Sequence, residues 1–248
     1  MIKVYTGLPG SGKSLLLADQ ALFLFKQNKK WFKKAKQLYE KGVIIYRDDE
    51  GNPIEPFPRK VYSNIRFAPH IEEKWGDYIS YWADPEELVK VRDGDVIWDE
   101  VSTHLDAQRW ADLPQEIRRW LQQHRKYGCN IYGNTQEFLQ VDISVRRLTQ
   151  KVYQLFKIMG SRDPSPTRPP IKRIWGLIMK REVDPLSYDD EGNRKFVGYP
   201  SLITITKRRT KVFDTRQEIA IGAYPPLHHI ERNCINYPLC TYTRVSHR

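Results

Sequence analysis

The sequence predicts an α/β fold with a mainly parallel sheet, followed by a basic C-terminal region that contains strands. Short runs of β-branched and aromatic residues alternate with helical stretches up to about residue 158, which is typical of βαβ units. A glycine-rich segment lies between the first run and the first helix. Four prolines within residues 161–170 exclude a helix or a central strand there. We predict a core over 1–160, a proline-rich linker over 161–170 and a basic region over 171–248.

Composition and charge limit the class of protein. The chain has 248 residues, 40% of them hydrophobic, and a mean hydropathy of −0.64, values typical of a globular protein with a core. No stretch approaches the 18 apolar residues of a membrane-spanning helix, no signal region follows Met1, and three scattered cysteines fit a reducing compartment. We therefore expect a cytoplasmic protein with no transmembrane segment of its own.

The positive charge is concentrated towards the C-terminus. Of a net charge of +11, most comes from residues 151–248, which carry 18 Lys or Arg against 9 Asp or Glu. This asymmetry favours a polyanionic partner, either nucleic acid or an anionic membrane surface. A solvated basic face is an equally open alternative.

Hydrophobic periodicity and turn residues predict the elements of the core in order. The first part contains a strand at 2–5, a buried helix at 14–27 that Asn28 interrupts, a lysine-rich helical stretch at 29–41, and strands at 43–46 and 59–65 joined by a turn at 48–53. The second part contains a short helix capped by Asp84, a strand at 95–99, an amphipathic helix at 112–127, and strands at 130–132 and 152–158. Beyond the linker lie an apolar stretch at 171–179 and a strand candidate at 201–206.

The glycine-rich segment carries the clearest chemistry. It matches G-x-x-x-x-G-K-[ST] at every fixed position and lies between a predicted strand and a long helix, as a phosphate-binding loop requires. Its backbone N–H groups and the helix dipole would hold a phosphate chain. Lys13 would reach the β- and γ-phosphates and Ser14 would bind Mg²⁺, and a chance glycine-rich turn is the alternative. The predicted nucleotide-binding residues are Gly7, Pro9, Gly10, Ser11, Gly12, Lys13, Ser14 and Asp99.

Asp99 and Glu100 end the predicted strand that begins at Asp95. A phosphate-binding loop needs a second acid for Mg²⁺ at the end of a neighbouring strand, and Asp99 is placed for this role. Glu100 follows directly and is the candidate general base for a water molecule in line with the γ-phosphate. Two adjacent acids favour hydrolysis over phosphoryl transfer to a small molecule. A solvated acid at a strand end is the alternative for Glu100.

Other side chains are more ambiguous. Gln136 follows the strand at 130–132 and is a candidate for sensing the γ-phosphate, with Asn134 as the alternate and a loop-capping amide as the simpler interpretation. Lysines interleaved with Trp31, Phe32 and Tyr39 indicate either phosphate contacts with base stacking or a solvated helix whose aromatics pack inward. Candidates for an arginine finger are Arg118, Arg119, Arg125, Arg146 and Arg147.

Taken together, these motifs resemble the zonular occludens toxin family, the assembly ATPases of filamentous bacteriophages, which are similar to the FtsK–HerA motor ATPases. The similarity lies in the loop at 7–14, in Ile97-Trp98-Asp99-Glu100, in the helix end at 124–128, in Thr135-Gln136 and, thinly, in the stretch at 211–215. It covers residues 1–160 well. In the wider motor class a glutamine at this strand end acts as a sensor, which favours Gln136.

The resemblance implies a P-loop NTPase core of the additional-strand, RecA/HerA-like type, with ATP and Mg²⁺ as cofactors. It also implies a homo-oligomeric ring that drives virion assembly, DNA packaging or DNA export. Family members usually carry a transmembrane helix after the core, and none follows here. We therefore expect the host cytoplasm, or a peripheral position at the inner membrane through a membrane or coat-protein partner. The alternatives are a P-loop kinase and a nucleotide-binding scaffold that binds DNA without turnover.

Overall fold

A computed structural model describes residues 1–44, 46–47, 53–108, 113–160, 176–188, 194–205, 209 and 212. The strands are β1 (Ile2–Thr6), β2 (Tyr46–Arg47), β3 (Pro53–Ile54), β4 (Val61–Ser63), β5 (Ile79–Tyr81), β6 (Asp95–Trp98), β7 (Asn130–Thr135), β8 (Lys151–Gly160), β9 (Gly176–Val183) and β10 (Phe196–Ile205). The helices are α1 (Lys13–Glu40), α2 (Pro69–Trp75), α3 (Pro85–Leu88), α4 (Gln115–Gln123) and α5 (Ile143–Leu148).

Eight of these strands form one mixed sheet in the order β10-β9-β8-β1-β7-β6-β4-β5. Every pair from β8 through β1 to β5 is parallel, so the predicted α/β class with a mainly parallel sheet is confirmed. β7 lies between β1, which leads into the phosphate-binding loop, and β6, which ends before Asp99. This extra strand is the arrangement that the resemblance implies.

Helices pack on both faces of the parallel part of the sheet, so its central strands are buried on both sides. One core joins the first half of α1 with α2 through residues such as Leu17 and Phe25. The other core includes Trp98 and residues of α3, α4 and α5, among them Trp120 and Val145. Burying both faces explains the continuous apolar run of β6, whose four residues are all buried.

The predicted interruption at Asn28 is wrong. α1 is a single helix of 28 residues, and Asn28 is buried within it. The Asn28 amide donates to the Arg59 carbonyl oxygen and to Asp95 Oδ2, both at 3.1 Å. Arg59 also holds the Asp95 carboxylate through two nitrogens, at 2.9 and 3.0 Å. These tertiary hydrogen bonds override the low helix propensity of asparagine.

The strands after the linker join the same sheet. β9 pairs antiparallel with β8, and β10 pairs antiparallel with β9, which confirms that the C-terminal region contains strands. The predicted linker at 161–170, most of the turn at 48–53, the start of the helix at 112 and most residues beyond 205 lie outside the described residues. Within the described part of the chain, no helix is long and apolar enough to cross a membrane.

Candidate nucleotide-binding site

The loop between β1 and α1 has the conformation that a phosphate cradle needs. Gly12 has φ of +90°, in the region that favours glycine, and a side chain there would collide with Ile178 of β9. A Cβ at Gly7 would lie 2.6 Å from the Leu155 carbonyl oxygen. Pro9 and Gly10 form the exposed crest of the loop. The two confined glycines therefore keep the loop backbone close to its neighbouring strands.

Lys13 and Ser11 point polar groups into this loop. Lys13 is only 6% exposed, and its ammonium donates to the carbonyl oxygens of Gly7 at 2.9 Å and Leu8 at 3.4 Å. Burial lowers the pKa of Lys13, and the carboxylates of Glu100 and Asp99 partly oppose that change. Among the residues that the structure describes, the buried Ser11 hydroxyl has no hydrogen-bond partner. A buried ammonium, a free hydroxyl and the unpaired N–H groups at the start of α1 fit a polyphosphate group.

A polar junction joins this loop to the acidic end of β6. The Asn134 amide nitrogen donates to Asp99 Oδ1 and lies 3.4 Å from Ser14 Oγ. Burial raises the pKa of the Asp99 carboxyl, while hydrogen bonds from Ser14 and Asn134 offset part of that rise. A hydroxyl and a carboxylate brought together in this way are oxygen ligands of the type that Mg²⁺ prefers. The donor set therefore fits the ion that the sequence predicts.

Glu100 adopts a strained backbone conformation beside this junction. Its φ and ψ are +50° and +61°, a region that glutamate rarely occupies. Its N–H donates to Asn134 Oδ1 at 2.7 Å, which helps to hold the strained turn. Burial raises the pKa of its half-buried carboxyl, and the Lys13 ammonium partly opposes the rise. Glu100 and Gln136 line the same open cavity of about 720 Å³.

Comparisons with known proteins agree with this arrangement. The family model of the zonular occludens toxin (Zot) matches residues 1–164. The chain belongs to the Zot family. A comparison with curated proteins gives no match.

Two solved structures are similar to this Zot family member. The N-terminal domain of zonular occludens toxin from Neisseria meningitidis is 22% identical, with a TM-score of 0.44, over 86% of this chain and 98% of that one. The genome packaging NTPase B204 from Sulfolobus turreted icosahedral virus 2, in complex with AMP, is 14% identical, with a TM-score of 0.42, over 79% and 95% of the two chains. Likeness at this level carries no information on activity.

The structure brings together most of the predicted site of this Zot family member. Gln136 is the exception, because its side chain is exposed and its backbone carbonyl accepts from the Gly7 N–H at 3.3 Å and from the Thr6 hydroxyl at 3.0 Å. Asn134, the alternate, makes the contacts with Asp99 and Glu100. A sensor role for Gln136 stays a prediction.

Sequence reasoning missed Asn64, which directly follows β4. The buried Asn64 side chain accepts from the Asp99 N–H at 2.7 Å and donates to the Asp99 carbonyl oxygen at 3.0 Å. It therefore fixes the peptide that carries the acidic pair. The available signal was its position, since polar residues at the carboxyl ends of parallel strands gather at one edge.

The five arginine-finger candidates are not equivalent. Arg119, Arg125 and Arg147 are exposed, Arg118 Nε donates to the Leu113 carbonyl oxygen at 2.9 Å, and the buried Arg146 Nε has no hydrogen-bond partner. Exposed arginines are available to a neighbouring subunit, but the choice among the five stays a prediction.

Proposed function

We propose that this chain is an Mg²⁺-dependent ATPase that drives phage assembly. The observation that carries the proposal is the contact of Asn134 with both Asp99 and Ser14. It joins a phosphate-binding loop to an acidic strand end, with Glu100 held beside it. Phosphate binding, a metal-ligand set and a carboxylate base are the parts that nucleotide hydrolysis requires.

In this proposal each residue of the site has a separate role in ATP hydrolysis. Lys13 and the N–H groups at the start of α1 bind the β- and γ-phosphates, so the Lys13 ammonium exchanges its loop carbonyls for phosphate oxygens. Ser14 and Asp99 hold Mg²⁺, which when bound neutralises charge on the phosphates. Glu100 accepts a proton from the attacking water, and its raised pKa makes it a stronger base than an ordinary glutamate. Asn134 orients Glu100, and Gln136 senses the γ-phosphate.

The work coupled to hydrolysis is the assembly of the virion, with packaging or export of viral DNA as the step that consumes ATP. Membership of the Zot family supports this assignment. We further propose a homo-oligomeric ring in which a neighbouring subunit supplies an arginine finger. The ring would act in the host cytoplasm, or at the inner membrane through a membrane or coat-protein partner, with the basic C-terminal region in contact with nucleic acid.

The test is phosphate release from ATP by the wild type, Lys13→Ala and Glu100→Gln, with and without DNA. We expect Lys13→Ala to lose nucleotide binding, and Glu100→Gln to bind a fluorescent ATP analogue while its turnover falls by at least about 100-fold. Glu116→Gln, the same substitution at an exposed residue of α4 outside the site, is the matched control. Turnover that survives in Glu100→Gln contradicts a base at this position. Transfer of phosphate to a nucleoside instead of water supports the kinase alternative.

A further inference from the structure

The second half of α1 is a basic rod that the nucleotide site does not use. Asn28 is the last buried residue of the helix, and every residue of 29–40 is half-buried or exposed. Asn28 contacts Asp95 at the start of β6, which is the edge of the sheet opposite the phosphate-binding loop. At about 1.5 Å per residue, residues 29–40 continue for roughly 18 Å past this contact.

One side of this rod carries all of its lysines. Its five lysines, all exposed, are Lys29, Lys30, Lys33, Lys34 and Lys36. At about 100° per residue they fall within a sector of about 160°, which we call the lysine face.

The lysine face has one acidic neighbour on α1, at its end. Glu40 lies in the same sector, four positions after Lys36, and no acidic residue lies between Asp19 and Glu40, so lysines three and four positions apart repel one another and weaken the helix. In the part of the chain that the structure describes, none of these five lysines forms an ion pair. A solvated helix face normally interleaves charges of both signs. The lysine face therefore favours a polyanion as its partner.

The aromatic residues of the rod distinguish between the two possible polyanions, a nucleic acid and an anionic membrane surface. Phe32 and Ala35 point to the protein's own body, where they line a cavity of about 490 Å³ together with Phe57. The rod therefore directs its apolar side inward and does not offer it to a membrane. Trp31 also lines this cavity, but it is 62% exposed at the border of the lysine face. An exposed indole beside several lysines matches the stacking platforms of single-strand binding proteins.

We propose that the lysine face of α1, with Trp31, binds single-stranded nucleic acid. The lysines contact successive phosphates, and the Trp31 indole stacks on a base. The proposal deepens the proposed function, on which it rests for the identity of the strand as viral DNA, and adds a contact surface outside the basic C-terminal region. The binding itself requires no nucleotide.

The test is the anisotropy of a fluorescein-labelled 30-nucleotide oligodeoxythymidine, titrated with protein in 50 to 200 mM KCl without ATP. The variant Lys30→Gln/Lys33→Gln/Lys34→Gln keeps helix-forming residues and removes three contacts. Each single-strand phosphate contact contributes roughly 0.7 to the slope of log affinity against log salt, so we expect the slope to shrink by about 2. The control Lys90→Gln/Lys126→Gln removes two charges from exposed sites outside both the lysine face and the basic C-terminal region and keeps the wild-type slope.

The affinity of Trp31 variants for the same oligonucleotide tests the stacking contact separately. Trp31→Ala is expected to lower affinity about tenfold without changing the salt slope, and Trp31→Phe to restore most of it, because stacking needs an aromatic ring. Circular dichroism checks that all variants fold.

Two results overturn the proposal. One is an equal loss of affinity in the lysine variant and its control. The other is normal oligonucleotide binding by the lysine variant with loss of binding to phosphatidylserine vesicles, which assigns the face to a membrane. A wild type that binds the strand through this face yet releases no phosphate from ATP contradicts the proposed function and leaves this proposal standing.

Discussion

At the residue scale, Asn134 is the side chain that contacts both parts of the candidate site, the phosphate-binding loop and the acidic end of β6. It accepts from the Glu100 N–H and donates to Asp99, while Ser14 lies within 3.4 Å. Residues that orient metal ligands in this way usually contribute 10- to 100-fold to affinity or activity. We expect Asn134→Ala to lower kcat for ATP hydrolysis by about that factor, with a smaller change in nucleotide affinity, as steady-state kinetics and equilibrium binding will measure.

Gln136→Ala is the comparison that separates the two amides. The Gln136 side chain is exposed and faces the cavity that Glu100 also lines, whereas its structural hydrogen bonds use only the backbone carbonyl. The alanine variant therefore keeps those bonds and removes only the side-chain amide that faces the cavity. A loss of kcat as large as that of Asn134→Ala supports the sensor prediction. Unchanged kcat contradicts it and leaves Asn134 as the sensor.

His124 provides a prediction on stability. It is 1% exposed, its Nδ1 lies 2.7 Å from the Leu121 carbonyl oxygen, and its Nε2 has no hydrogen-bond partner within the described part of the chain. Burial lowers the pKa of His124, and the Met1 ammonium and Arg125 lower it further. At low pH the imidazole is therefore protonated in the unfolded chain but stays neutral in the folded chain. The contribution of neutral His124 to the free energy of unfolding is fully present above the unfolded pKa of about 6.5 and is lost as the pH falls below it.

We expect His124→Asn to remove this pH dependence of the free energy of unfolding. Between pH 7 and 5.5 its free energy of unfolding should fall by about 1 kcal/mol less than that of the wild type, measured by urea titration at each pH. Parallel pH profiles for the two proteins contradict a neutral buried His124. His124 is buried directly after α4, so the variant is compared by slope and not by absolute stability.

The site residues that belong to a short, continuous sequence motif could be predicted from the sequence. The loop at 7–14 and the acids at 99–100 were predictable because each motif fixes its own backbone and lies at a strand end. The role of Asn64 was not, since its two bonds to Asp99 span 35 residues of sequence. Asn134 was ranked below Gln136 because spacing along a strand does not tell which amide turns toward the neighbouring strand's end.

At the element scale, α1 shows how tertiary contacts override propensity. Replacing Asn28 by alanine gains up to about 0.7 kcal/mol of helix propensity. It also removes a hydrogen bond to the Asp95 carboxylate and one to the Arg59 carbonyl, and a bond to a charged partner contributes about 1.5–3 kcal/mol. The loss is larger, so we expect Asn28→Ala to lower the free energy of unfolding by about 1–2 kcal/mol.

The matched control is Gln37→Ala, an exposed change on the same helix, for which we expect a change within about 0.5 kcal/mol. Chemical denaturation of both variants gives the comparison. If Asn28→Ala is more stable than the wild type, the hydrogen bonds of Asn28 contribute less to the free energy of unfolding than the gain in helix propensity.

Three short elements, α2, α5 and β5, were beyond prediction for a different reason, whereas the four-residue helix α3 was predictable from its capping residue Asp84. α2 has seven residues, α5 has six and β5 has three, fewer than the 11 or so residues over which a helical period becomes visible. These elements form because α2 and α5 pack onto opposite faces of a sheet that is assembled from distant strands. The long helix α1 and the strands β1, β6 and β7 carried enough pattern to be predicted, with their bounds displaced by a few residues.

At the scale of the whole molecule, the sheet continues past the predicted domain boundary. Ile178 of β9 is fully buried and contacts Gly12, the last glycine of the phosphate-binding loop. Leu155 of β8 contacts Gly7 at the other side of the loop. The strands on both sides of residue 160 therefore support the nucleotide site. We therefore expect the proposed ATP binding to require the C-terminal strands, and a fragment ending at residue 160 to bind ATP poorly.

Ile178→Ala tests this dependence within the full chain. Deleting a buried isoleucine side chain typically costs 2–5 kcal/mol, and here the cavity opens directly against Gly12, so the loop loses a supporting contact as well. We expect the free energy of unfolding to fall by about 3 kcal/mol and ATP affinity to weaken under conditions where the variant is still folded. Ile158→Ala on β8 makes the same substitution at a side chain that is 53% exposed, and should leave both quantities nearly unchanged. If Ile178→Ala loses stability while its ATP affinity equals that of the wild type, β9 stabilises the sheet without shaping the loop, and a boundary near residue 160 regains support.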